Sequence, residues 1–327
     1  MKKNLLLGLC LVFIAIFFSG CADKKLEYET KQSAYQVIDD QGTIIKLQGK
    51  PQRIMTTHFH LDNLLLGVVP QDRIVAMSKT MDDPMISYAA SSDIDKPQKL
   101  TEITLENVVA LKPDLIISRS TIGAEKIQSY RDLGIPVYVS EMPIDVVEVK
   151  AKIAGIAEAV GEAEHGKILN AKIDKELAAI EKAAHEKVRY STSCVLVSKM
   201  NHNYGGKGCF FDDLCNKAQI RNAVADMGIM NGELISKEIM VKADPDFFLL
   251  SEGWELKNGN ADTYRQEFYE DPALQHLKAV QAKHVLYLKD KYIYASNQNC
   301  VWAVKKLANL VYGNIFAPEE EVFLKGY

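Results

Sequence analysis

The sequence predicts an α/β fold in which two related lobes, with mostly parallel sheets, are joined by one long α-helix. Three observations carry this prediction. Short apolar runs alternate with helical patterns along most of the 327 residues, which implies βα units and parallel strands. One amphipathic stretch near 163–187 runs without proline. A twelve-residue motif occurs twice, once on each side of that stretch. Composition agrees: 47% of residues are hydrophobic and 25% charged, an ordinary globular balance that excludes disorder, collagen and coiled coil as the main account. A net charge of −4 argues against nucleic acid as a partner. Six cysteines are too few and too scattered for a disulfide scaffold of this size.

The chain opens with Lys2 and Lys3, then an apolar run from Leu5 to Phe18, then Ser19-Gly20-Cys21. This reads as a secretory signal over residues 1–20, with residues 21–33 as a polar tether. Export leaves Cys194, Cys209, Cys215 and Cys300, which allow three full pairings that the sequence does not choose between. None forms a CxxC, so a thiolate zinc site has little support.

Residues 34–47 predict a hairpin about Asp40-Gln41-Gly42. A first lobe over 34–162 follows. Its strand signals are Arg53–Thr57, Ile74–Met77, Leu115–Ser118 and Val137–Val139, and a helix signal runs from Asp62 to Leu66. Leu169, Ile173, Leu177 and Ile180 recur every three or four positions, which predicts a connecting helix over 163–188. A second lobe over 189–327 carries strand signals at Cys194–Ser198, Phe247–Leu250 and Val285–Leu288, a helix from Asp212 onward, and a closing helix from Trp302 to Val311. The repeated motif is ITLENVVALKPD at 103–114 and ISKEIMVKADPD at 235–246. Thr104 and Ser236 suit the N-cap of a helix that Pro then ends. Two copies at equivalent places mark the lobes as repeats.

Several pieces are recognisable together. They are the hairpin VIDDQGTIIKL, KPQRI at 50–54, DNLLLG at 62–67 where a Glu-x-x-x-Leu-Gly is common, and TLENVVALKPDLII at 104–117. YGGKGCFFDDL at 204–214, ISKEIMVKADPDFFLL at 235–250 and DPALQHLKAVQAKHVLYL at 271–288 complete the set. In this order the chain resembles, over roughly residues 34–315, the helical-backbone class of ABC-importer substrate-binding proteins. That class binds ferric siderophores, haem, cobalamin and some metals. The resemblance implies two Rossmann-like lobes about a shallow cleft, with the long helix as a stiff hinge. It also implies a glutamate on each lobe that docks on arginine pockets of the permease, here Glu106 and Glu238. The alternative for each glutamate is a first-turn acid that favours the helix dipole. The start of the chain resembles a bacterial lipoprotein signal, which makes Cys21 the lipidated residue and places the protein outside the cytoplasmic membrane; Phe18 departs from the usual pattern. The implied partners are the permease and ATPase of an importer, the membrane through the lipid anchor, and a small metal-chelate ligand. No resident cofactor and no catalysis are implied.

Ligand contacts are expected on loops after strands. His58 and His60 follow the first strand of lobe one, and neutral imidazole is a good donor to a metal or haem iron. The alternative is a polar loop pair. His202 and Tyr204 lie in the corresponding loop of lobe two, where a phenolate can hold ferric haem iron or the ring can pack on the ligand. Arg119, assisted by Lys207, suits an anionic group through its guanidinium; solvated charge is the alternative. Trp254 offers a flat wall. Met81, Met85 and Tyr88 are expected to add apolar surface, with core packing as the alternative for Met85, and Met142 and Trp302 are lesser candidates. No GxGxxG after a strand, P-loop, HExxH or GxSxG is present. Asp212-Asp213 sits where a helix begins, so catalysis is not needed to explain the pair. Together these features predict an exported, lipid-anchored binding protein for an iron-chelate-type ligand, with haem, cobalamin, a metal ion or an oxyanion as the alternatives. A surface enzyme acting on a metal complex is the rival from another class.

Overall fold

The computed structural model describes residues 33–198, 203–253, 261–294 and 296–327. The expected signal, Cys21, His202 and Trp254 lie outside the described residues. Among the described residues no helix is long and apolar enough to cross a membrane.

Lobe one begins with an antiparallel hairpin, β1 (Tyr35–Ile38) and β2 (Ile44–Leu47). The Asp39 carboxylate accepts the Gln41 and Thr43 amides at 3.0 and 2.8 Å and so fixes the turn. The lobe continues as β3 (Ile54–Thr56), α1 (Phe59–Val68), β4 (Ile74–Ser78), β5 (Gln98–Leu100), α2 (Leu105–Leu111), β6 (Leu115–Ser118), α3 (Ala124–Asp132), β7 (Val137–Val139) and α4 (Val146–Ala159). Its sheet has the order β5-β4-β3-β6-β7, all parallel. Both faces are covered, which explains why the strands read as unbroken apolar runs. Ile54, Leu115 and Ile117 join the main core, while Met55 and Ile116 face a second cluster with Ile127 and Tyr130.

The connecting helix is α5, Ala163–Lys187, 25 residues and about 37 Å long at 1.5 Å per residue. Leu169, Ile173, Ile180 and Ala184 are its buried stripe. It packs against α1 and α4 of lobe one. A Cβ on Gly166 would lie 2.6 Å from Ala157 Cβ on α4, so only glycine permits this helix spacing.

Lobe two runs β8 (Thr192–Val197), α6 (Phe210–Lys217), β9 (Ile220–Asn222), α7 (Ala223–Asp226), α8 (Lys237–Ala243), β10 (Phe247–Glu252), α9 (Ala261–Glu270), α10 (Lys278–Gln281), β11 (Val285–Lys289), α11 (Asp290–Ile293) and α12 (Cys300–Tyr312). Its parallel sheet has the order β11-β10-β8-β9. Helices α6 and α12 also contact α5.

The repeated motif builds the same device twice. Thr104 caps α2 by accepting the Asn107 amide, and Ser236 caps α8 by accepting the Ile239 amide. Both helices end on a left-handed residue before the proline, Lys112 at φ 46° and Asp244 at φ 35°. The aspartate after each proline then fixes a neighbouring strand. Asp114 accepts the Gln52 and Arg53 amides ahead of β3, and Asp246 accepts the Ser193 amide in β8.

Several features were not expected from the sequence, among them the short strands β5 and β9, helices α3, α4 and α9, and a C-terminal stretch that crosses between lobes. Val322 accepts the Trp302 indole at 2.9 Å and Leu324 donates to Asn299 at 2.9 Å, both within lobe two. Then Lys325 pairs with Asp93 at 2.6 Å, Gly326 donates to the Gly67 carbonyl at 2.8 Å, and the Tyr327 hydroxyl reaches the Leu66 carbonyl at 3.2 Å, all in lobe one.

Candidate functional site

In an open parallel sheet, ligands collect at the carboxyl ends of the two strands where the chain changes direction. In lobe one the chain goes from β3 outward to β4 and β5, then returns to the other side as β6 and β7. The switch point lies between β3 and β6. In lobe two it lies between β8 and β10. The chain leaves those strands into segments 199–202 and 254–260, outside the described residues.

At the lobe-one switch the two strand ends are stapled. The Thr57 amide donates to Ile117, the Thr57 and Ser118 hydroxyls lie 3.1 Å apart, and the Arg119 amide donates to Thr57 Oγ1 at 3.3 Å. This brings His58 and Arg119 together, with Arg119 Nη1 3.1 Å from His58 Nε2. His58 is also the N-cap of α1, its Nδ1 accepting the His60 amide at 3.2 Å. A neutral imidazole has one N–H and one lone pair, and a guanidinium only donates. His58 cannot accept at both nitrogens. If Nδ1 holds the cap, Nε2–H and Arg119 Nη1–H face each other as two donors. An acceptor oxygen placed beside them satisfies both.

The surroundings sharpen that demand. Burial, with Arg119 beside it, pushes the His58 imidazole down to about 4. Among the described residues no carboxylate lies within ion-pair distance of Arg119; its nearest counter-charge is Glu141, which accepts the Ser120 hydroxyl. Three buried polar atoms at these strand ends, Arg119 Nε, His60 Nε2 and Ser140 Oγ, have no hydrogen-bond partner among the described residues. Buried polar atoms are normally paired, so the cluster is built to be completed.

His60 lies deeper, 2% exposed. Its Nδ1 is 3.3 Å from Ser296 Oγ of lobe two, and Ser296 donates to Met142 Sδ at 3.1 Å. Burial, then the neighbouring His58, Arg119 and Lys152, push His60 down to about 3. Beneath it Asp62 is fully buried. It accepts the Thr56 hydroxyl and the Ser78 amide, yet burial raises its carboxyl to about 7.

The sequence-predicted residues therefore separate. His58 and Arg119 meet at the switch point. His60 stands behind them as a link between lobes. Tyr204 does not present a free phenol: its hydroxyl accepts the Phe211 amide at 3.2 Å and lies 3.4 Å from the Ile293 carbonyl, and burial raises it well above its usual value. The partly buried ring packs on Tyr294 against the main core, so phenolate ligation does not fit this conformation. Lys207 is exposed on a bridge to Met230, away from any pairing with Arg119. Met81 accepts the Asn63 side chain in the core, and Tyr88 donates to the Lys291 carbonyl; both are buried rather than cleft surface. Trp302 is a buried packing residue. Met142 reaches the site. Ser140 and Ser296 were missed; the polar run Ser296-Asn297-Gln298-Asn299 between two apolar helices was the available signal, since all four are buried and Gln298 donates to Asn63 O at 2.6 Å across the lobes. Among the described residues no three His, Cys, Asp or Glu are placed to hold a metal ion. Cys194, Cys209, Cys215 and Cys300 are buried free thiols, with Cys194 and Cys215 Sγ 3.7 Å apart.

Residues 56–292, from the end of β3 to α11, match the family described as periplasmic binding protein. The chain belongs to the periplasmic binding protein family. The single long helix between its lobes marks the helical-backbone class of ABC-importer substrate-binding proteins. The chain is similar to an uncharacterized ABC transporter substrate-binding lipoprotein of Bacillus subtilis, 23% identical over 97% of this chain and 99% of that one. It is similar to a cobalamin-binding protein of Halobacterium salinarum, 23% identical over 64% of this chain and 56% of that one. Among solved structures it shares the fold of an apo periplasmic haem-binding protein from Roseiflexus, with a TM-score of 0.68 and 20% identity over 81% of this chain and 99% of that one.

Proposed function

We propose that this binding protein is the lipid-anchored, extracytoplasmic component of an ABC importer, and that it captures an anionic iron chelate, a ferric siderophore, between its lobes and delivers it to the permease. The observation that carries this reading is the His58–Arg119 pair at the lobe-one switch point, a half-buried cation and a conflicted imidazole that one anionic oxygen satisfies together. A chelate with carboxylate or catecholate oxygens supplies it. Glu106 and Glu238 then orient the loaded protein on the membrane subunits; both are exposed on the matched helices α2 and α8. Cys21 carries the lipid. A second reading, haem or cobalamin, is favoured by the relatives named above, and a haem carboxylate would meet the same Arg119.

Native mass spectrometry of residues 22–327 with ferric siderophores, haemin, cyanocobalamin and divalent metals tests the ligand. One ferric-chelate adduct, lost in Arg119→Ala, is expected. Retention of haemin or cyanocobalamin with no chelate adduct moves the assignment to the second reading, and a bare-metal adduct overturns both. Labelling cells with a palmitate analogue should mark the wild type and not Cys21→Ser.

A further inference from the structure

The two copies of the repeated motif share five identities: Ile103/Ile235, Glu106/Glu238, Val109/Val241, Pro113/Pro245 and Asp114/Asp246. Three of these pairs have work inside the chain. Ile235 is buried and Ile103 packs on the second cluster of lobe one. Both prolines are buried and end their helices. Both aspartates hold neighbouring strands through backbone amides. The glutamates have a modest internal use, because the Thr104 and Ser236 hydroxyls lower their carboxyls.

The valines have none. Val109 is 56% exposed and Val241 42% exposed. A β-branched residue on a solvent-facing helix is a weak choice for helix formation. A single exposed apolar residue is ordinary; the same one at matched places in two diverged lobes is not. Each valine follows its glutamate by three positions, which puts both on one helix face about one turn apart. Leu105, 41% exposed, widens the patch on lobe one, and Leu234, 58% exposed, precedes α8 on lobe two.

We propose that Val109 and Val241 are the apolar half of a duplicated docking surface, which the importer's membrane subunits meet with a socket of apolar side chains beside each cation. This rests on the docking role proposed for Glu106 and Glu238. The carboxylates select the occupant. A second copy of this chain would bring glutamate against glutamate, whereas a cationic partner compensates both charges. The duplication requires the partner to offer its surface twice, as a pair of like subunits does. The carboxylates supply orientation and encounter rate, and the valines supply desolvated contact that salt does not screen.

The test uses the full lipidated chain in membranes of its host, with the photo-crosslinker p-benzoylphenylalanine replacing Val109 or Val241. Both positions should yield adducts with a membrane subunit of an ABC importer, identified by its peptides. That importer, reconstituted in nanodiscs, is then titrated with three proteins: the wild type, Glu106→Gln with Glu238→Gln, and Val109→Ser with Val241→Ser. Both double variants should dock roughly ten- to thirty-fold more weakly. The glutamate defect should fade in high salt while the valine defect persists, and unfolding midpoints and ligand adducts should be unchanged. If the glutamate pair matters and the valine pair does not, this inference falls and the docking role stands. If neither matters, both fall. Adducts with a second copy of the chain, or no adduct from either position, also overturn it.

Discussion

Lowering the pH from 6.5 to 5.0 forces the floor of the cleft to choose between folding and protonation. His58 and His60 have folded values of about 4 and about 3 against an ordinary 6.5. Between pH 6.5 and 4 the unfolded chain therefore binds more protons at both, and the stability they contribute above 6.5 is lost as pH falls. Asp62 acts in the opposite sense. Its carboxyl is raised from 3.8 to about 7, so the folded chain holds a proton that the unfolded chain releases, and stability falls as pH rises through that window. With the unfolded imidazoles half protonated at pH 6.5, each histidine costs about 1.6 kcal/mol by pH 5.0 and Asp62 returns about 1.9, a net loss of roughly 1.3 kcal/mol. Besides His58, which acts on His60, the charges that bear on the three groups are Arg119, Lys152 and Lys99, and these three stay cationic over this range. Urea unfolding at four pH values, extrapolated to water, reads the slope. His60→Gln should make it nearly flat, because His58 and Asp62 then cancel. Asp62→Asn should raise the loss more than twofold, to about 3 kcal/mol. Equal slopes in the wild type and His60→Gln would refute the argument, whatever the absolute stabilities.

Three further outcomes are expected. Arg119→Ala should weaken ligand binding about ten- to a hundredfold, the worth of a charge-assisted hydrogen bond, and leave the unfolding midpoint equal or higher because an unpaired half-buried cation is removed; a lower midpoint with full affinity would contradict this. Gly166→Leu should destabilise by about 1–3 kcal/mol by forcing α4 from α5, measured by urea unfolding, and a change within 0.5 kcal/mol would show that the helices re-space freely. In residues 22–327 at pH 8, iodoacetamide should leave all four thiols unmodified in the native protein and alkylate four in denaturant, since burial raises Cys209 to about 11 and Cys300 to about 12; rapid native labelling would refute their burial.

Much of the fold was legible because its elements are periodic. The stripe Leu169, Ile173 and Ile180 gave α5, and the paired Thr104/Ser236 caps gave α2 and α8. Helix α12 was placed within a residue or two at each end. Strands β5 and β9 are three residues each, too short for a period. The stretch at 319–327 has no period, since single backbone groups and the ion pairs of Glu319, Glu321 and Lys325 hold it. At the site, the rule that ligands meet loops after strands pointed to His58 and Arg119 as candidates but not to their contact, which depends on the order in which strands pair. The internal partners of Tyr204 were not legible, because a loop tyrosine reads the same whether its ring faces a ligand or the core. Val109 and Val241 were hidden for the converse reason: a valine in a helical pattern reads as core until its exposure is seen.

The crossing of residues 325–327 into lobe one has a consequence for how the exported chain matures. A chain that emerges from a translocation channel amino end first presents residues 34–162 well before its final stretch. Until that stretch arrives, the Gly67 carbonyl lacks its amide and Asp93 its lysine. The earliest part to reach the far side is thus finished by residues that follow all the rest of lobe two. Lobe one thus takes one backbone partner and one ion pair from residues that come after α12 in the chain.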